Sequence, residues 1–233
     1  SVWEQIADAQ PEALALANAD TSRTWAEFDD RASRLAGALE AAGIGAGDNV
    51  ACAMYNGNEY IEAEFAAFKA RAAPCNVNYR YVEAELQYLI DNSDSKAVFF
   101  DSSLAERFGN VRDQLPGVQL WIQVGGDSVP DWAVGYETVI ADNEPAARIE
   151  RSGQDLWILY TGGTTGNPKG VMWPHENILT VTKRIFELLA LEFPTSLDQT
   201  GAAAAAIAEL GATPRQLAAS PLMHGTAGIG ALM

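Results

Sequence analysis

Leu156-Trp-Ile-Leu-Tyr-Thr161 runs without a break into Gly162-Gly163-Thr164-Thr165-Gly166-Asn167-Pro168-Lys169-Gly170. The first six residues are apolar or β-prone and read as a buried strand. The glycines after them let the backbone take positive φ and turn successive N–H groups toward one point, which makes a nest for an anion. Thr161, Thr164 and Thr165 add hydroxyl donors, Pro168 stiffens the exit, and Lys169 brings a flexible point charge. A polyphosphate is the ligand that this donor set suits. The loop is not GxxxxGK[ST], because Asn167-Pro168 separate the lysine from the glycine it should follow directly, and it is not GxGxxG. A Gly-rich hairpin between two strands is the plainer alternative. Two features weigh against it: two adjacent threonines with a lysine in one loop, and a position at the end of an apolar strand, where open α/β sheets bind their ligands.

Upstream, the chain alternates strand with helix. Thr24-Trp-Ala-Glu27 is a capping-box pattern that opens an amphipathic helix, with Phe28, Ala32, Leu35, Ala36 and Leu39 on one stripe and Gly43 as its stop. Its Asp29, Asp30, Arg31 and Arg34 lie mostly off that stripe and read as a solvated face. Asn49 to Tyr55 is a short apolar run bounded by turn residues, hence a buried strand, and Asn58 is placed to cap the helix from Glu59 to Lys69. The pattern then repeats: strand over 72–77, helix over 82–92, strand over 96–100, helix over 103–115, strand over 118–124. Such alternation implies right-handed crossovers and a mostly parallel sheet with helices on both faces. Three regions are expected: an α/β lobe over 1–140, a polar linker over 141–155, and a region over 156–233 that begins with the apolar strand and its glycine-rich loop.

Composition narrows the function classes. The chain has 233 residues, 48% of them apolar, which suits a packed core and not a disordered segment. Fifteen Lys and Arg against 31 Asp and Glu give a net charge of −16. That field repels polyanions, so nucleic acid and an anionic membrane surface are poor partners. A small anion is still admissible at a local site, because surface charge is screened beyond roughly 8 Å. Cys52 and Cys75 belong to no CxxC or Cys/His cluster, so no metal site or disulfide framework is indicated and a reducing cytoplasm is expected. No apolar run approaches the ~20 residues of a membrane span.

Tyr160-Thr-Gly-Gly-Thr-Thr-Gly-Asn-Pro-Lys-Gly-Val171 closely resembles the YTSGTTGxPKGV phosphate-loop signature of the adenylate-forming acyl-CoA synthetases, aryl-CoA ligases, luciferases and peptide-synthetase adenylation domains. The resemblance extends to Arg23-Thr-Trp-Ala-Glu-Phe28, which is similar to the family's (L)TYxEL segment. Phe68-Lys-Ala-Arg-Ala-Ala-Pro74 resembles LKAGAxxVP, and Pro221-Leu-Met-His-Gly225 resembles PLFHxxG. Two positions depart from the pattern: Gly162 stands where the family has Ser, and Arg71 where it has Gly. The first removes a hydroxyl from the loop, and the second lies in scaffold and carries little weight. Val77-Asn-Tyr-Arg-Tyr81, Met172-Trp173 and Pro221 to Gly225 look most like actinobacterial fatty-acyl and steroid-side-chain CoA synthetases.

The resemblance implies an incomplete N-terminal domain of the acyl-CoA synthetase fold. It implies a reaction in which a fatty or steroid-side-chain acid and ATP, with Mg2+, give an acyl-adenylate that passes to coenzyme A, and it allows a homodimer. By matching position, Thr161, Gly162, Gly163, Thr164, Thr165, Gly166 and Lys169 would hold the phosphates. His224 and Gly225 would border the acid. His175, after Pro174, is expected to cap or pack at the start of the helix 176–189, and residues 76–81 are expected to be scaffold. No residue present is assigned a catalytic or metal-binding role. The family's later motifs and its C-terminal domain do not appear in the chain, and Gly228 to Met233 ends on apolar residues. A fragment inactive by itself is therefore expected. Two alternatives remain open: a short non-catalytic nucleotide-binding or interaction module, and a ligase that uses a carrier-protein thiol.

Overall fold

A computed structural model of the chain describes residues 1–19, 21–162 and 166–232. The chain opens with helix α1 (Val2–Ala9), closed by a capping box between Ser1 and Glu4, and continues through strands β1 (Leu14–Asn18) and β2 (Thr21–Thr24) into α2 (Trp25–Ala41). The Thr24–Glu27 capping box at the start of α2 forms as the sequence predicts. At its other end Gly43 takes φ +76°, and its N–H donates to the Glu40 carbonyl.

Next come β3 (Asn49–Ala53), α3 (Asn58–Lys69), β4 (Ala73–Asn76), α4 (Glu83–Asn92) and β5 (Ser95–Asp101). They lead to α5 (Ala105–Val111), β6 (Leu120–Val124), β7 (Val134–Gly135) and α6 (Tyr136–Asp142). The last part holds β8 (Leu156–Thr161), β9 (Lys169–Pro174), α7 (His175–Leu188), α8 (Thr200–Glu209) and α9 (Gly225–Leu232). Three sequence expectations shift. Asp29 and Arg31 do not lie on a solvated face: Asp29 pairs with the buried Lys69 ammonium and Arg31 with the buried Glu62 carboxylate. Asn58 does not cap α3: Gly57 holds the cap position, and the buried Asn58 amide donates instead to Thr21 Oγ1 at 3.2 Å. The helix expected over 103–115 is α5 flanked by two short 3-10 turns, Ser102–Leu104 and Arg112–Gln114.

The main sheet has the order β7-β6-β5-β3-β4-β8-β9, parallel throughout except where β9 runs antiparallel to β8. Each central strand is buried on both faces, with alternate residues entering different cores. Val50, Cys52, Phe99, Trp157 and Leu159 pack toward α2, α3 and α6. Ala51, Ala53, Phe100, Ile158 and Tyr160 pack toward α4 and α5. Both cysteines are buried and unpaired. Among the described residues no helix is long and apolar enough to cross a membrane.

The polar segment 141–155 lies along α2 and α3. Ala146 N–H donates to the Ser33 carbonyl, Arg148 pairs with Asp8 and Asp29, and Arg151 pairs with Glu4. Glu4 also meets the Lys69 ammonium at 2.8 Å, and both side chains are almost fully buried. Burial alone would raise the Glu4 carboxyl, but Lys69 and the terminal ammonium outweigh it and hold the pKa at about 2. Gly37 is required here, because a Cβ would strike the Glu144 carbonyl where the segment crosses α2.

Candidate nucleotide and acyl site

The carboxyl ends of β3, β4 and β8 lie side by side, and each delivers a polar group to the same edge. β8 ends at Thr161 and passes into Gly162, both exposed. Among the described residues a Cβ built on Gly162 would meet nothing within 4 Å. Gly166 takes φ +107°, which a side chain would strain, and among the described residues a Cβ there too would meet nothing within 4 Å. Lys169 is exposed at the start of β9 and makes no ion pair among the described residues. Of the expected phosphate-binding residues, Gly163, Thr164 and Thr165 lie outside the described residues.

The loop connects two antiparallel strands, with Thr161 opposite Lys169 in the register. The hairpin set against the anion nest in the sequence reading is therefore present. The two are not rivals, because the hairpin carries Thr161 and Lys169 to the two ends of the same glycine-rich turn. Tyr88 on α4 donates its hydroxyl to the Pro168 carbonyl at 3.2 Å and steadies the exit. Gly170 admits no side chain, since a Cβ would lie 2.9 Å from Ile158 Cγ2.

The second group is the segment 218–225, which has no strand or helix partner of its own until α9 begins. Asn56, just past β3, donates to the carbonyls of Ala218 and Ser220 and accepts from the Leu222 N–H. Asn76, the last residue of β4, donates to the Met223 carbonyl at 2.6 Å and to the Tyr160 carbonyl at 3.1 Å. Its Oδ1 accepts from the Tyr160 N–H at 2.6 Å. This brings His224, exposed at the head of α9, beside the end of β8. The His224 carbonyl accepts from the Ala227 and Gly228 N–H groups and starts the helix. Gly225 and Gly228 allow the close approach: a Cβ would lie 2.7 Å from Leu159 Cδ2 at the first and 3.0 Å from the Trp157 ring at the second.

Three residues outside the expected site support it. Trp157 donates its indole N–H to Glu64 Oε1 at 3.1 Å beneath α9. Arg71 adopts φ +61°, a conformation in which glycine is at ease and other residues are strained. Its guanidinium binds both oxygens of Asp155, immediately before β8. That pairing gives the departure from glycine a physical role that the sequence reading did not assign. His175 packs edge-on against Phe68 with ring centroids 4.5 Å apart, and burial lowers its pKa. The sequence marked Asn56 only as a turn residue and Asn76 only as part of a strand and of a scaffold segment; the signal that could have marked them is their place at the carboxyl ends of apolar strands.

The sequence profile of the AMP-binding enzymes matches residues 3–233. The chain is 42% identical over 183 residues to a 3-oxocholest-4-en-26-oate–CoA ligase of Rhodococcus rhodochrous, a match covering 76% of this chain and 33% of that protein. It is 34% identical over 244 residues to the medium-chain acyl-CoA ligase Mig of Mycobacterium avium, covering 97% of this chain and 44% of Mig. The chain thus spans between a third and a half of the length of these relatives. Among solved structures, the N-terminal domain of FACL13 from Mycobacterium tuberculosis superposes with a TM-score of 0.72 at 25% identity, over 99% of this chain and 53% of that one.

Proposed function

The chain belongs to the AMP-binding enzyme family, and from that premise we propose that the complete enzyme joins a fatty or steroid-side-chain carboxylic acid first to AMP and then to the thiol of coenzyme A. The relatives named above act as acyl-CoA ligases by their descriptions, one on a steroid-side-chain acid and one on medium-chain acids. The observation that carries the reading is the Asn76 amide bonded to both Tyr160 and Met223, the residues just before Thr161 and His224, with Lys169 across the hairpin from Thr161.

The residues fit a polyphosphate. Among the described residues nothing stands where side chains at Gly162 and Gly166 would, and Lys169 is an exposed cation in a chain of net charge −16. In this reading Thr161, Gly162, Gly163, Thr164, Thr165, Gly166 and Lys169 hold the phosphates. Backbone N–H groups, hydroxyls and one ammonium offset the charge of the leaving pyrophosphate. Bound ATP supplies the activated phosphorus that turns a poor electrophile, the carboxylate, into an acyl-adenylate. His224 and Gly225 border the acid, and the chain's contribution is to place it in line with that phosphorus. Among the described residues no group of three or more His, Cys, Asp or Glu side chains is gathered to hold a metal, so no residue here is assigned to Mg2+.

The test is acid-dependent ATP–pyrophosphate exchange by the complete enzyme, followed by product analysis with coenzyme A. Exchange that requires an added fatty or steroid-side-chain acid, and a thioester that forms only with coenzyme A, are expected. Absence of exchange with every acid of these classes would overturn the reading.

A further inference from the structure

Asn76 is 5% exposed and uses its whole amide: both N–H bonds donate, and the oxygen accepts. Its partners are 84 and 147 residues away in sequence, one at the end of β8 and one in the segment that carries His224. β4 and β8 share a single register pair, Cys75 with Ile158. Beyond it the side chain of Asn76 replaces the backbone ladder, pairing with Tyr160 as a peptide group would. Its remaining N–H reaches the Met223 carbonyl, so one rigid amide fixes the distance between the two halves of the site.

We infer that Asn76 is a positioning residue that couples the phosphate loop to the acid-binding segment, holding Thr161 and His224 in register for in-line attack. The inference rests on the reading of the site given above and deepens it. Asn56 provides a matched comparison on the same segment. It also makes three hydrogen bonds to residues 218–222, yet among the described residues it makes none to β8 or the loop. A merely structural role would make the two asparagines equivalent; a coupling role would not.

The test compares Asn76→Ala and Asn56→Ala in the complete enzyme by three measurements. These are amide hydrogen exchange, ATP affinity by calorimetry in the absence of acid, and the separate KM and kcat values of pyrophosphate exchange. In Asn76→Ala, exchange should rise together at Tyr160–Thr161 and at His224–Gly225. ATP should bind more weakly, the KM for acid should rise, and kcat/KM should fall by about 10–100-fold, the penalty of misplacing reacting groups by about 1 Å. In Asn56→Ala only the 218–225 amides and the KM for acid should change. Equal patterns in the two variants, or unaltered ATP affinity in Asn76→Ala, would overturn the inference. Should Asn76→Ala not fold, Asn76→Ser keeps one donor, and unchanged exchange at Tyr160 in that variant would overturn it as well. The hydrogen-exchange arm needs no activity, so a wild type without pyrophosphate exchange would refute the functional reading and leave the coupling decided by its own measurement.

Discussion

Glu64→Gln should stabilise the protein, by an amount that grows as pH rises. Glu64 is 1% exposed on α3, with Oε1 accepting the Trp157 indole N–H. Its Oε2 and the neighbouring Tyr60 hydroxyl have no hydrogen-bond partner among the described residues. Burial pushes the carboxyl up from 4.5 to about 8, against the opposing effect of the indole. Between those two values the folded protein retains a proton that the unfolded chain has released. Stability is therefore full below the unfolded value and declines as pH rises toward about 8, by about 1.4 kcal/mol for each unit. By neutral pH the loss amounts to about 3 kcal/mol, a large share of the ~5–15 kcal/mol typical of a domain. Glutamine cannot ionise and still offers the indole an acceptor.

The assay is equilibrium unfolding in urea of wild type and Glu64→Gln from about pH 5 to about pH 8, the window set by the shifted carboxyl. Subtracting one protein from the other cancels the remaining titrations. His175, whose pKa burial lowers from 6.5, contributes stability that is lost as pH falls below that value, and it does so in both proteins. A stability gap that does not change with pH, or a wild type more stable than the variant at the upper limit, would refute the argument.

Lys69→Met should cost about 1–3 kcal/mol in urea unfolding, because it removes a buried cation from Glu4 and Asp29, although Arg151 and the terminal ammonium stay on Glu4 and Arg148 stays on Asp29. Adding Glu4→Gln should restore part of that loss, and a strictly additive double variant would argue against direct coupling. Gly37→Ala should lower stability by about 1–3 kcal/mol, although alanine favours the helix, since its Cβ collides with the Glu144 carbonyl. A gain in melting temperature would show that segment 143–155 shifts freely off α2.

The parallel sheet was legible because its strands are short runs apolar on both sides, such as Val50 to Ala53 and Lys96 to Phe100, separated by helices with a clear stripe. The long helix α2 was legible from its capping box. The equally plain Ser1–Glu4 box of α1 went unread, because an eight-residue helix gives too few turns for periodicity. β1 and β2 are half-exposed and partly polar, and the alanine-rich α8 has no polar face to contrast with an apolar one. In the site, the loop could be read because its chemistry is contiguous. The Asn76 clamp could not, because its partners come from two distant stretches that only the fold brings together. Arg71 looked incidental until its positive φ and its pairing with Asp155 were in view.

The central claim, that the glycine-rich hairpin after β8 holds the phosphates of ATP, is tested most directly by acid-dependent ATP–pyrophosphate exchange in the complete enzyme with Lys169→Ala. The ammonium is exposed and makes no ion pair among the described residues, so its removal should leave the fold intact. Loss of a charge-assisted contact of about 1.5–3 kcal/mol predicts an exchange rate lower by about tenfold to a hundredfold. An exchange rate equal to that of the wild type, in a variant that melts at the same temperature, would contradict the account.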